Sequence, residues 1–417
     1  MPQKFSYGRI FLLGFGFFGV SIIWGVYNAF VPIFLADKFN LAPIFIGFFM
    51  TLDNIAALFI QPPVGAWSDR LRTPIGRRMP FILIGAPLGA LAFGLIPLAA
   101  VLPLFVACTS TLLLSMAMWR TPVIALMPDI TPSNKRSQAN GIINFMGGIG
   151  GIISFLVGSS LYRMNPAYPF WMGSVLVIIA ALLVFIFIKE PHDHEETEKQ
   201  PGMLASLKEV LADADRSALR LLLAIFFWFL GYTAIEAFFT LYAKNHLGLN
   251  EADGSRLLGH LSLLFVLFAL ISGVIGSRIG RRVTISIGIV LMASILLGVY
   301  LTPAKVLTTV IGKAPILGTI PVISLFLMAA GVAWSLININ SLPMVVDMTT
   351  TARLGTYTGL YYLFSTLSAI AGPNLNGALI QFTGKNYNSI MLMAPVFMVV
   401  ALLLMLGVKR GEAQSPA

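Results

Sequence analysis

Charge is what this sequence has least of. Only 11% of its 417 residues are Asp, Glu, Lys or Arg, less than half of the ~25% found in soluble domains. So little charge cannot coat a water-soluble globule of this size, which excludes a cytosolic enzyme. Hydrophobic residues make up 57% of the chain and the mean hydropathy is +0.87, which excludes a disordered protein. Cysteine is nearly absent too. Cys108 stands alone inside an apolar run, so no intrachain disulfide framework exists and the residue reads as a small buried hydrophobe. Also missing are a His-Glu-x-x-His metal motif, a Gly-x-Ser-x-Gly elbow, a phosphate-cradling loop and a soluble catalytic domain. A membrane-embedded enzyme therefore has no constellation to work with.

What is abundant is uninterrupted apolar sequence. A spanning helix needs ~20 apolar residues, and such runs cover 9–34, 44–66, 80–100, 103–127, 139–162, 169–188, 219–241, 256–276, 283–301, 320–345, 356–381 and 389–408. Runs this long, apolar in every direction, cannot be alternating barrel strands. The expected fold is an all-α integral membrane protein of twelve transmembrane helices. The first run lacks a small-residue cleavage site after a short core and reads as a retained helix rather than a signal peptide.

The net charge of +10 would suggest nucleic acid in a soluble protein, but its placement explains it otherwise. With the N-terminus inside, inner loops and ends hold 19 of the 27 Lys and Arg residues, from Lys4 and Arg9 to Lys409 and Arg410. Outer loops hold Lys38, Arg163, Lys244, Arg256, Lys305, Lys313 and Lys385, and Arg120 is left inside a helix. This is the positive-inside bias. It places both termini in the cytoplasm, in a plasma (inner) membrane, and leaves lipids and a small molecule, not nucleic acid, as partners of what reads as a monomer.

One long polar stretch, 189–218, divides the runs six and six. The expected domains are an N-terminal bundle (1–188), a linker (189–218) and a C-terminal bundle with a short tail (219–417). Within the linker, LASLKEVLADA reads as an amphipathic helix on the inner face. His192 and His194, beside Asp193, Glu195 and Glu196, read as solvated linker rather than a metal site, because nothing fixes a geometry.

The two halves resemble each other. NAFVPIFL at 28–35 aligns with EAFFTLYA at 236–243, and the GRR of 76–78 recurs at 280–282. Trp119, Asp129, Arg136 and Gly141 correspond in order to Trp334, Asp347, Arg353 and Gly359. A duplicated six-helix unit is a transporter architecture, with the substrate site expected near the midplane between the halves. A channel has no reason for duplicated halves with buried opposite charges, whereas a receptor or scaffold role through the linker stays open to binding assays.

After the second run the chain reads GAWSDRLRTPIGRRMPFILIG, residues 65–85. This resembles the major facilitator signature Gly-x-x-x-Asp-Arg followed by Gly-Arg-Arg, here Gly65, Asp69, Arg70, Gly76, Arg77 and Arg78. Gly65 lets helices approach, and Asp69 at a helix end can pair with a loop arginine or a neighbouring helix as a latch for the outward-open state. The common pattern has one residue between Arg70 and the glycine; here five intervene (71–75), followed by Pro80, Phe81 and Ile82. That spacing, with ALMPDITPSNKRSQAN at 125–140, is similar to the sucrose–proton symporters and their bacterial relatives, near the glycoside–pentoside–hexuronide cation symporters. The resemblance is looser in the C-terminal half, through PMVVD and YTGLYY. Leu113 replaces an acidic residue of plant members, so their coupling chemistry does not carry over. The adjacent aspartates of sodium-coupled melibiose-type relatives are absent, with Ala57 and Gln61 in their places.

Charged groups at membrane depth are kept for function or pairing. Asp53 is expected midway along the second run, with Asn54, Ala57 and Gln61 on one quarter-turn at ~100° per residue. It is the candidate proton-coupling site, or a structural partner of Arg120. Arg120 lies ~13 Å inside the membrane, nine residues before Asp129 at 1.5 Å each. Glu236, following Trp228 and Tyr232 at helical spacing, is a candidate for substrate hydroxyls, a second proton site or a structural contact. Trp24, Tyr27 and Asn28 with Ser21, Trp334 and Asn338 with Ser341 and nearby Asn340, and Tyr361 with Ser365 and Ser368 complete the candidate substrate-binding set. Aromatic faces beside amides and carboxylates suit sugars. Gly147, Gly148, Gly150 and Gly151 read as a close helix-packing surface. The function expected is a proton-coupled sugar or glycoside symporter working by alternating access. A proton-driven exporter of drugs or other metabolites is the alternative; no cofactor is expected beyond the coupling ion, and sodium stays open.

Overall fold

The computed structural model describes residues 6–132, 135–190, 207–208, 210, 212, 215–349 and 353–411. The first half holds α1 (Tyr7–Ile33), α2 (Pro43–Phe49), α3 (Leu52–Arg70), α4 (Met79–Leu95), α5 (Leu102–Ile130), α6 (Arg136–Met164) and α7 (Tyr168–Phe187). The second holds α8 (Ser217–Asn245), α9 (Glu251–Ile279), α10 (Arg281–Leu301), the short α11 (Ala304–Leu307), β1 (Val310–Ala314), β2 (Gly318–Pro321), α12 (Val322–Val346), α13 (Leu354–Phe382) and α14 (Ser389–Leu406). Lys4, His192, His194, Asp193, Glu195, Glu196 and most of the LASLKEVLADA segment lie outside the described residues.

Among the described residues, eleven helical stretches are long and apolar enough to cross a membrane, α2 and α3 counting as one. The twelfth expected span is α13. Its 29 residues reach ~43 Å at 1.5 Å each, ample for the ~30 Å hydrocarbon layer. Ser365, Ser368, Asn374, Asn376 and Gln381 make it the more polar helix. All-α folding follows from the solvent, because lipid offers no hydrogen bonds to a bare backbone and a helix satisfies its own.

The second expected run is not continuous. It breaks at Met50–Thr51, where the Thr51 hydroxyl donates to the Phe48 carbonyl at 2.7 Å, so Asp53 and Asn54 sit in the first turn of α3 rather than mid-helix. Further along α3, Pro62 and Pro63 follow one another. Neither ring nitrogen carries a hydrogen, so the carbonyls of Leu58 and Phe59 lose their helical donors.

The chain forms two compact units. One comprises Met1–Leu41, Ile55–Glu196 and Glu251–Gly259; the other comprises Ala42–Asn54, Thr197–Asn250 and His260–Ala417. In the first, α1 packs on α6 and α7, and α4 on α5 and α7. In the second, α8 packs on α13 and α14, and α10 on α12 and α14. Counting spans from each half's first helix, these are the same four pairings, so the duplication seen in the sequence is a duplication of packing. Each unit also takes in a short segment from the other half of the sequence. In the second unit α2 packs on α13, with Asn374 donating to Thr51 Oγ1 at 3.3 Å. In the first, Ser255 and Arg256 of α9 reach the Phe155 carbonyl and Ser159 of α6.

Helices without a hydrophobic drive toward each other associate through small residues and close backbone approach. At Gly150 of α6 an added Cβ would lie 2.5 Å from the Phe18 carbonyl oxygen of α1, whereas at Gly151 nothing lies within 4 Å. The stripe therefore faces α1 at Gly147 and Gly150 and turns away at Gly151. Gly150→Ala is expected to lower the unfolding temperature in detergent, by the ~1–3 kcal/mol typical of overpacking, and Gly151→Ala to leave it unchanged. Equal behaviour of the two variants would contradict this packing.

Candidate functional site

Two groupings of polar side chains stand out against the apolar helices. The first is an ion cage in the first unit, at the end that carries most of the arginines. The chain leaves α3 at Arg70, turns through Gly76 at φ +112°, and enters α4 behind Arg77 and Arg78. The positive φ suits glycine because a side chain would clash with its own backbone there, and the turn aims both arginines back at the helix ends. Arg78, only 5% exposed, meets Asp69 at 2.5 Å and Asp129 at 3.2 Å and also donates to Ser68 Oγ. Arg77 meets Asp129 at 2.9 Å and Glu190 at 3.4 Å. The Glu190 carboxylate also accepts from the Arg78 backbone N–H at 2.9 Å. Arg70 is exposed, and Gly65 places its α-carbon near Thr121 of α5, an added Cβ falling 3.4 Å from the methyl group.

The expected partner of Asp69, a loop arginine, is thus Arg78. Two participants escaped the sequence reading. In the sequence Asp129 reads as the counterpart of Asp347 and a member of the 125–140 stretch, and Glu190 as the second residue of the 189–218 linker. In fact the Glu190 side chain is 1% exposed, and its neighbour Lys189 offers its carbonyl to Arg9 at 3.0 Å. Four arginines at 70–78 facing one aspartate were the available signal, since buried guanidinium groups require carboxylates nearby. Burial pushes the Glu190 carboxyl above its usual 4.5; the Arg78 N–H opposes this, and Asp129 adds to it.

The second unit repeats the device in reduced form. Gly280 has φ +95°, Arg281 pairs with Asp347, and Arg282 donates to the Leu406 carbonyl at 2.7 Å. Ser277 stands where Asp69 does, and the connection is shorter.

The second grouping is aromatic and lies within the second unit. Tyr232 of α8 stacks face to face on Trp334 of α12, with centroids 3.8 Å apart and planes 1° apart. Phe229 meets Trp334 edge-on at 5.3 Å and Tyr361 of α13 at 6.2 Å. The Tyr361 hydroxyl lies 3.1 Å from Ser341 Oγ, which itself donates to the Asn338 carbonyl at 2.8 Å. Trp334 is covered at 3% exposure, while Tyr232, Glu236 one turn beyond it, and Asn338 are half-buried. Three elements therefore present one ring face, a fixed phenol, an amide and a carboxylate. Trp228 and Asn340 of the expected stripes belong to the packing instead. Trp228 is wholly buried, and the Asn340 amide donates to Ser272 Oγ at 3.1 Å, joining α12 to α9.

The remaining expected residues lie along α1, α3 and α5, divided between the two units. Trp24 and Tyr27 meet edge-on at 5.7 Å. Tyr27 is 1% exposed, which leaves Trp24 and Asn28 as the half-buried members. On α3, Asp53, Asn54, Ala57 and Gln61 are all half-buried, and the Asn54 amide donates to Asp53 Oδ1 at 2.9 Å. Arg120 is half-buried on α5, and Leu113 is buried. Asp53 and Asn54 fall in the second compact unit, and Gln61 and Arg120 in the first.

Duplicated six-helix packing with a glycine-arginine-arginine turn in each half agrees with the family profile described as Major Facilitator Superfamily, which matches residues 13–312 and 257–417. The chain belongs to that superfamily. It is a transporter and not an enzyme. Multidrug resistance protein 1 of Bacillus subtilis is 23% identical over 219 residues, 52% of this chain and 54% of that protein. The general alpha-glucoside permease of Schizosaccharomyces pombe is 24% identical over 253 residues, 52% of this chain and 46% of that protein. The chain thus spans about half the length of these relatives. A bacterial homolog of the human lysosomal transporter Spinster, in an inward-facing and occupied conformation, shares the fold. Its TM-score is 0.75, with 14% identity and 97% of each chain covered.

Two outcomes follow for the cage of this major facilitator chain. Arg78→Lys offers one ammonium where a planar guanidinium serves three oxygens at once, so it is expected to cost ~3 kcal/mol, the low end for breaking a buried pair; an unchanged unfolding temperature would count against the cage. Because the Glu190 carboxyl titrates higher folded than unfolded, its contribution to stability falls as pH rises above 4.5. Glu190→Gln should match the parent at the acid end of that window and become the more stable of the two as pH rises. A difference that stays flat with pH would refute the assignment.

Proposed function

We propose that this transporter is a proton-coupled symporter for a glycoside or small sugar, working by alternating access, with its arginine-rich end and both termini on the cytoplasmic side of the inner membrane. The observation that carries the reading is the Tyr232–Trp334 stack beside the Tyr361 hydroxyl, Asn338 and Glu236. A pyranose offers an apolar ring face and a rim of hydroxyls, and this arrangement supplies a ring face and a polar rim. The kinship to a protein named as an alpha-glucoside permease supports the same reading. In this proposal Tyr232 stacks on the sugar, while Glu236, Asn338, Trp24, Asn28 and Gln61 take hydroxyls. Asp53 binds and releases the coupling proton, and Arg120 is its counter-charge. The cage at Arg77 and Arg78 serves as the latch of the outward-open state.

A second reading has its own support. Aromatic rings beside a carboxylate also suit a lipophilic cation, and a relative is named for multidrug resistance. The two separate in one experiment: uptake of a radiolabelled disaccharide panel into proteoliposomes, with and without an inward proton gradient. Uphill accumulation of one sugar is expected. It should be abolished in Asp53→Asn, and Tyr232→Ala should raise KM about tenfold, the ~1.4 kcal/mol of one aromatic contact. Gradient-driven efflux of a cationic dye with no sugar uptake would replace the symporter reading with the exporter.

A further inference from the structure

The connection between α10 and α12, residues 302–321, plays no part in the groupings above, yet it is built with care. It reads TPAKVLTTVIGKAPILGTIP, with two lysines and no acidic residue. β1 and β2 pair antiparallel, with a register shift between Val310 and Gly312. That shift leaves Ile311 without a partner, and such a bulge twists the strand and re-aims its side chains. Val310 and Ile311, adjacent residues that a regular strand would send to opposite faces, are both exposed. Ile316, at the turn, is 79% exposed. Lys305 and Lys313 flank these apolar groups and are exposed as well.

The hairpin does not hang loose. His260 of α9, buried in the second unit, lies 3.0 Å from the Leu317 carbonyl through Nε2 and 2.9 Å from Ser324 Oγ of α12 through Nδ1. Val322 N–H closes the base of the hairpin onto the Thr309 carbonyl at 2.9 Å. The apolar tip is thus held in place beside two spanning helices, one ending at Leu301 and the other starting at Val322. Exposed isoleucines on a pinned hairpin would be costly in water, at ~25 cal/mol per Å² of apolar surface.

We propose that this hairpin is an interfacial anchor. Val310, Ile311 and Ile316 enter the acyl–headgroup boundary of the leaflet opposite the arginine-rich end, and Lys305 and Lys313 pair with anionic lipid phosphates. The occupant is lipid rather than protein because the segment is continuous with two membrane spans, leaves its chain at their common edge, and carries only positive charge. Lysine stems can lie along apolar surface while the ammonium stays at the headgroups, and each such lysine adds ~1 kcal/mol of attraction to an anionic surface.

The test uses the full chain in vesicles of phosphatidylethanolamine and phosphatidylglycerol, in a Cys108→Ser background. A nitroxide is placed at Ile316→Cys and, as a water-exposed reference, at Lys385→Cys in the α13–α14 turn. Collision rates with oxygen, which partitions into lipid, and with a nickel chelate, which stays in water, give the depth. The proposal expects oxygen to dominate at 316 and nickel at 385. A label at 316 as open to nickel as at 385 overturns it, and so does one that neither reagent reaches, which would mean packing against protein. A folding loss cannot mimic the positive result, because the same samples must keep the parent's unfolding temperature. In a second arm, Lys305→Gln with Lys313→Gln should reduce the oxygen preference at 316 in these vesicles. An unchanged preference overturns the role given to anionic headgroups.

Discussion

A backbone surrounded by hydrocarbon must satisfy its own hydrogen bonds, and everything else in this protein follows from that constraint. It turns the apolar runs into helices and leaves side chains alone to carry polarity. Each polar side chain must then find company where it sits. The answers differ by location. At the arginine-rich end, three carboxylates and two guanidinium groups share one small volume. Within the second unit, a phenol and hydroxyls are fixed among aromatic rings. Along α3 a narrow stripe of short polar side chains runs beside two prolines.

The helical class, the number of runs and the internal duplication were legible in the sequence because each depends on long-range patterning that local accidents do not erase. The pairing of Asp69 with an arginine was legible too, since a carboxylate at a helix end followed by arginines has partners close at hand. What was not legible is where helices interrupt themselves. Nothing at Met50–Thr51 carries a breaker such as glycine or proline, so the run read as continuous and Asp53 as a mid-helix residue. Contact across elements was equally hidden. Glu190 sits two residues past Ile188, the last apolar position of its run, where composition says solvent and the fold says ion cage. The hairpin of 310–321 was hidden because its strands are only five and four residues long, and its last two residues read as the start of the 320–345 run.

The duplication also shows how equal halves come to differ. Both retain a positive-φ glycine, an arginine pair and a carboxylate across from it. The second half has Ser277 in place of Asp69, a shorter turn and no described counterpart of Glu190 in its cage. Among the described residues the cage of the first half gathers five charges. Aromatic stacking occurs in both units, as Phe30 on Tyr162 in the first and Tyr232 on Trp334 in the second. Duplication supplies two equivalent scaffolds, and divergence changes what each carries at its glycine turn.

The paired prolines of α3 carry one more implication. Two consecutive carbonyls, those of Leu58 and Phe59, lose the i+4 amides that a helix would give them, and hydrocarbon offers no substitute. Each oxygen needs a hydroxyl or a water molecule. Gln61 and Asn54 lie on the same helix within two turns, which puts two side-chain amides near the gap. A helix that gives up two of its own bonds in succession is also easier to bend at that point than anywhere else along its length.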